Sequence, residues 1–235
     1  MAKTREVSRD ERDYDTTQLH ASAHGRSLHR DYSAHFFRWS FARRFITVKD
    51  DVLEVGCGEE KPLAKVLTGC AAPSVKNYVG VDLNKLKPSN AKRLTFHGEF
   101  NFVERYKELL KERGGEGFDV LVHFEVIEHI NVELGKKFLK AAYECLKPGG
   151  VMLMSTPCYD GVRHAANHIH EYTVPELQAA VEKAGFEVEK RFGTFPAISL
   201  GWNVSEEKFM KKQKFIDYLK LRASVLSWTS NISAR

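Results

Sequence analysis

The chain has 235 residues and a mass of 26.8 kDa, a length that one domain fills comfortably. Hydrophobic residues make up 43% and charged residues 29%, which excludes a disordered tail protein and a collagen-like one. The formal net charge is +5, and +4 of it lies in residues 201–235, where seven basic side chains face three acidic ones; the near-neutral remainder points to no polyanion coat.

Residues 1–30 are polar with mixed charge and are expected to form an arm or flap. No apolar run is long enough for a transmembrane helix, so no membrane partner is expected. The stretch Met1–Tyr14 lacks the apolar centre of a secretory signal. Cys57, Cys70, Cys145 and Cys158 form no close pair and read as free thiols, which favours a reducing, cytoplasmic location.

Residues 33–47 repeat aromatics at helical spacing, Phe37, Phe41 and Phe45, and predict an amphipathic helix capping the domain. From residue 51 short apolar runs alternate with longer amphipathic ones. Strands are expected over Asp51–Val55, Tyr78–Asp82, Arg93–His97, Asp119–His123, Val151–Ser155 and Phe186–Phe192. Helices are expected over Lys61–Leu67, Asn101–Arg113, Val132–Cys145 and Val174–Ala184. This alternation predicts an α/β fold, a Rossmann-like, mostly parallel sheet with helices on both faces. Gly149-Gly150 and Gly185 mark helix ends. A last amphipathic helix is expected over residues 205–226, with Phe209, Ile216, Leu219, Ala223 and Leu226 on one face and lysines opposite. The expected organisation is therefore an arm (1–30), an α/β domain with its helical cap (31–200) and a basic helical extension (201–235).

The strongest motif is Val52-Leu53-Glu54-Val55-Gly56-Cys57-Gly58, an apolar strand running into a turn with two glycines. A dinucleotide fingerprint wants a third glycine to seat pyrophosphate on a helix start. Lys61 holds that position here, after Glu59 and Glu60, and the two carboxylates oppose a pyrophosphate. Val79-Gly80-Val81-Asp82 follows, and an acid ending the second strand can bind both hydroxyls of a ribose. The pair asks for a nucleoside without pyrophosphate, and Glu54 suits one that carries a cation.

These segments resemble those of class I S-adenosylmethionine-dependent methyltransferases. The match continues through Phe118-Asp119-Val120-Leu121-Val122-His123-Phe124-Glu125-Val126-Ile127-Glu128-His129 and Leu146-Lys147-Pro148-Gly149-Gly150, and covers roughly residues 50–195. The resemblance implies S-adenosylmethionine as cofactor. It implies that Gly56, Cys57 and Gly58 line its methionyl part, that Asp82 binds the ribose and Leu83 flanks the adenine, that Glu99 touches the adenine amine, and that Phe124 and Glu125 border the sulfonium. The connection Lys85–Ala91, with Pro88, is short for this family, so a helix there is curtailed.

Methyl transfer from a sulfonium asks mainly for alignment, plus a base if the acceptor must lose a proton. Two clusters qualify. Glu125, Glu128 and His129 fall within one helical turn, and His164, His168, His170 and Glu171 follow the fifth strand. His129 and His168 are the candidate bases or acceptor contacts. Glu125, Glu128, His129 and His168 also resemble the metal-binding set of small-RNA 3′-terminal 2′-O-methyltransferases, although two aromatic positions of the later segment differ. Generic members of the superfamily carry the same pattern without metal, with Thr173 and Glu176 as a helix capping box, and the reading without metal is preferred. Tyr32, His35 and Arg38 are spaced to face the site or to decorate a packing helix. Sequence motifs of the best-defined DNA methylases are missing.

The expected function is methyl transfer to an oxygen or nitrogen of a small-molecule or nucleoside acceptor. The alternatives are a metal-assisted RNA 2′-O-methyltransferase, with nucleic acid reached through the basic C-terminal helix, and a cofactor-binding module without catalysis.

Overall fold

The computed structural model describes residues 38–68, 74–89, 91–159, 161, 165–190, 199–203, 220–224 and 232–233. Five consecutive strands build one parallel sheet. They are β1 (Asp51–Val55), β2 (Asn77–Val81), β3 (Leu94–His97), β4 (Phe118–Phe124) and β5 (Leu146–Ser155), in the order β3-β2-β1-β4-β5. Strand β1 is buried at all five positions, as a central parallel strand with both faces covered requires. The order reverses between β1 and β4, so a crevice opens beyond their carboxyl ends.

The helices sort by face. On one side α3 (Phe102–Glu112), α4 (Val132–Cys145) and α5 (Val174–Lys183) cover a core of Leu53, Leu121, Phe138, Leu139 and Met152. On the other, α1 (residues 38–42) and α2 (Pro62–Thr68) cover Val52, Val120, Val122 and Leu153. The expected cap helix ends sooner than its aromatic repeat implies, with residues 43–45 already in a turn. Its buried side chains are Trp39, Ala42 and Ile46 rather than the phenylalanine repeat; Phe37 lies outside the described residues. Helix α5 opens on the expected capping box between Thr173 and Glu176.

At the amino ends of the strands, buried Asp51 meets Lys76, Arg113 and Asn77, at 3.0, 2.9 and 2.7 Å. Burial raises its carboxyl, but the hydrogen bonds from Asn77, Lys76 and Arg113 outweigh that and hold it well below the usual range. Lys147 bridges Asp51 to Asp119. This network ties β1, β4 and β5 together at the end of the sheet away from the crevice.

Three further expectations change. Of the strand expected over Phe186–Phe192, only Glu189–Lys190 is found as strand, residues 186–188 being irregular and 191–192 lying outside the described residues. Strand β5 starts at Leu146, directly after α4, and takes up Gly149-Gly150 through a register shift between Phe118 and Val120. Residues Lys220–Ser224 form a strand, β8, antiparallel to β7 (Ser199–Asn203), so the helix expected over 205–226 is corrected there; residues 204–219 lie outside the described ones. These two strands fall in a separate compact unit, Lys190–Asn231. Short strands β6 (Glu189–Lys190) and β9 (Ile232–Ser233) pair with each other. Among the described residues no helix is long and apolar enough to cross a membrane.

His123 on β4 is fully buried, packs edge-on against Phe138 at 4.9 Å, and has no hydrogen-bond partner on either ring nitrogen among the described residues. Burial lowers its pKa from 6.5 to about 3. Between those values the unfolded chain takes a proton that the folded chain refuses. Stability is therefore lost as pH falls below 6.5, by up to about 1.4 kcal/mol per pH unit. Urea unfolding at several pH values should show a shallower acid dependence for His123→Leu than for the parent; equal slopes would contradict this role.

Candidate active site

A cleft of about 190 Å³ lies beyond the carboxyl ends of β1, β2 and β4. Its first wall is the glycine turn. Gly56 has a φ of +79°, and a Cβ placed there would lie 2.5 Å from Val126 Cγ2, so glycine is required for both dihedral and space. Gly58 has a φ of +68°, and beyond its chain neighbours no atom of the described residues lies within 4 Å of where its Cβ would stand. Cys57 is buried, and burial pushes its thiol far up; it is a packing residue. Glu54 is also buried, and the Tyr78 hydroxyl donates to it. Burial and then the neighbouring Asp82 push its carboxyl well above the usual range. Neither Glu54, Cys57 nor Gly58 is among the cleft-lining residues, whereas Gly56 is.

Asp82 joins the two turns. One carboxylate oxygen accepts from the Gly58 N–H at 2.7 Å and the other from the Asn84 N–H at 2.8 Å. Each oxygen keeps a second lone pair for a ligand hydroxyl. Asp82, half-exposed Leu83 and Asn84 line the cleft. Glu99 does not. It is exposed, left-handed at a φ of +51°, and its N–H donates to the Asn84 carbonyl. The following Phe100 and Asn101 take the wall expected of it. The acidic side chain is the natural candidate, but the tight turn aims the chain so that its successors face inward.

Past β4, Phe124 packs into the α1/α2 core instead of the cleft, while Glu125 lines it. Glu125 is held with a φ of +56°. Ser155 Oγ donates to it at 2.9 Å, and Arg38 Nη2 approaches to 3.3 Å. Arg38 thus faces the site, one of the two placements open to it; Tyr32 and His35 lie outside the described residues.

His129 lines the cleft at the end of a 3-10 turn, Ile127–His129. Its Nδ1 lies 3.2 Å from the Asn167 carbonyl oxygen. A carbonyl only accepts, so Nδ1 donates to it, which in the neutral ring makes Nε2 the accepting nitrogen. His168 is buried behind it, rings edge-to-face at 5.1 Å, with Nδ1 on the Glu171 carboxylate. Glu128 is fully buried. Thr156 donates to one of its oxygens at 2.9 Å, and the other has no hydrogen-bond partner among the described residues and lies 4.0 Å from His129 Nε2. Burial and then Glu125 push its carboxyl well above the usual range. Glu128, His129 and His168 each offer a ligand atom, all within 4.8 Å of one another. Glu125 is not in that cluster, so three of the four candidate ligands converge.

Residues 30–191 match a methyltransferase domain family. The chain belongs to that family, with the fold of class I S-adenosylmethionine-dependent methyltransferases. Among curated relatives, it is 30% identical over 156 residues to a probable S-adenosylmethionine-dependent methyltransferase of Mycolicibacterium smegmatis, covering 64% of this chain and 57% of that protein. It is 27% identical to a ubiquinone biosynthesis O-methyltransferase of Cereibacter sphaeroides, covering 66% and 68%. The solved DhpI–S-adenosylhomocysteine complex superposes with a TM-score of 0.55 at 13% identity, covering 77% of this chain and 91% of that one.

Asp82→Asn keeps the size but leaves one of the two N–H donors facing an amide NH₂. Calorimetry with S-adenosylhomocysteine should show at least about tenfold weaker binding, since a hydrogen bond to a charged group is worth roughly 1.5–3 kcal/mol. Glu99→Ala should bind within about twofold of the parent. A large loss for Glu99→Ala with none for Asp82→Asn would reverse the assignment.

Proposed function

We propose that this methyltransferase domain transfers a methyl group from S-adenosylmethionine to an oxygen or nitrogen of a small-molecule or nucleoside acceptor, with a hydroxyl as the favoured acceptor. The observation that carries the reading is His129, a cleft-lining imidazole whose Nδ1 is turned to the Asn167 carbonyl and whose Nε2 lies 4.0 Å from a Glu128 oxygen. The name of the O-methyltransferase relative supports the choice of oxygen.

When bound, S-adenosylmethionine supplies an electrophilic methyl on a positively charged sulfur. The residues fit such a group: the Gly56 backbone approaches without a side chain, Asp82 retains lone pairs for ribose hydroxyls, and Leu83 offers apolar surface to a base. Glu125, held by Ser155 and Arg38, borders the far end of the cleft and puts negative charge near a cation. His129 Nε2 takes the acceptor's proton as its lone pair attacks, and Nδ1–H to Asn167 keeps the ring oriented. Alignment of the two reactants supplies most of the remaining rate.

A second reading rests on the Glu128 oxygen that has no hydrogen-bond partner among the described residues. Glu128, His129 and His168 each offer one ligand atom within 4.8 Å of the others. A divalent cation on Glu128, His129 and His168 would satisfy all three and polarise a ribose diol, giving a metal-assisted RNA 2′-O-methyltransferase. The basic residues after 201 are then the place to look for RNA contacts, and acceptor affinity should fall with salt.

Release of S-adenosylhomocysteine from a panel of phenols, catechols, amines and nucleosides tests the reading. His129→Gln should lower kcat by about 10²- to 10⁴-fold while S-adenosylhomocysteine affinity stays within about twofold, and a chelator should leave the parent rate unchanged. Activity lost to chelation and restored by a divalent cation selects the second reading. Cofactor binding without turnover on any acceptor favours a binding module.

A further inference from the structure

The connection between β2 and β3 carries Leu83 and Asn84, two walls of the cleft, yet no helix is present in it among the described residues. Its near end is stitched to the sheet. Asn84 donates to Asp82 and its carbonyl accepts from Glu99. The strand end is packed so closely that a Cβ on Gly98 would lie 2.3 Å from the Leu86 nitrogen. Beyond Leu86 the hold comes from elsewhere. Lys61, at the position of the missing third glycine, is left-handed at a φ of +51°. Its ammonium donates to the Lys87 carbonyl and sits 4.1 Å above the centre of the Phe96 ring on β3, a cation–π contact. Its own N–H donates to the Gly58 carbonyl and its carbonyl receives Lys65 at the start of α2.

We propose that Lys61 is a positioning residue for the nucleoside end of the cofactor: it braces the β2–β3 connection from the glycine turn and so holds Leu83 and Asn84 at the cleft. One side chain spans the element that contacts the methionyl part and the element that contacts the base. This replaces, in a chain with a curtailed connection, the packing that a crossover helix supplies. It also accounts for a lysine kept in a backbone conformation that glycine adopts at less cost. The inference rests on the assignment of Asp82–Asn84 to the nucleoside.

The test is calorimetry with two ligands, S-adenosylhomocysteine and 5′-methylthioadenosine, which share the nucleoside but not the amino-acid end. Lys61→Met should weaken both by a similar factor of about tenfold. The KM for S-adenosylmethionine should rise alike with kcat at saturation within about twofold, and Lys61→Arg should recover most of the affinity. Lys61→Gly relieves the left-handed strain while removing the brace, so it should hold or raise the melting temperature yet bind both ligands as weakly as Lys61→Met. Parent-like binding in Lys61→Met and Lys61→Gly overturns the proposal, as does a loss confined to S-adenosylhomocysteine. Asp82→Asn, run alongside, separates the two levels. Intact binding there overturns the nucleoside assignment and the proposal with it, whereas its loss with none in the Lys61 variants overturns the proposal alone.

Discussion

The cleft depends on one buried carboxylate. Asp82 ends β2 and accepts from two backbone N–H groups that belong to different turns, Gly58 after β1 and Asn84 after β2. Both donors lie in the loops just past strand ends, outside the ladder of the sheet, and a backbone N–H left without a partner away from water is costly. A single side chain therefore sets the spacing between the two turns. That spacing is what lets Gly56 and the Leu83–Asn84 edge share one cavity. Glu54, just behind, has its carboxyl pushed well above the usual range by burial and then by Asp82.

The sheet makes this possible by separating its tasks. At the amino ends, Asp51, Asp119, Lys76, Arg113 and Lys147 cross-link strands electrostatically. At the carboxyl ends the chain departs from regular geometry, with left-handed backbone at Gly56, Gly58, Lys61, Glu99 and Glu125. Such conformations persist only where the surroundings enforce them, and here the rigid sheet beneath does so. In the segment after β4, Glu125, Glu128 and His129 diverge. Glu125 and His129 face the cleft, and Glu128 turns inward to Thr156.

Much of this was legible in the amino-acid order. The five strands of the main sheet are found within a few residues of their apolar runs, because a strand buried on both faces must be apolar throughout. The two glycines and Asp82 announce themselves by spacing. What was not legible depends on backbone direction or on long-range packing. Glu99 reads as the wall residue until its left-handed turn sends Phe100 and Asn101 into the cleft instead. Glu54 reads as a ligand for a cation, but the strand alternation delivers it to the Tyr78 hydroxyl. Lys220-Leu221-Arg222-Ala223-Ser224 alternates polar and apolar residues inside a stretch that also fits a helical period, so periodicity alone could not separate strand from helix. The pairing of Arg38 with Glu125 joins residues 87 positions apart, beyond any local pattern.

Amide hydrogen exchange tests the account most directly. In the ligand-free chain the Gly58 and Asn84 amides should both be protected, and replacing Asp82 with asparagine should speed exchange at one or both while the amides of β1 and β4 stay slow. Gly58 and Asn84 amides exchanging at the rate of an open loop in the unaltered chain would contradict the carboxylate clamp, and with it the cleft built on it.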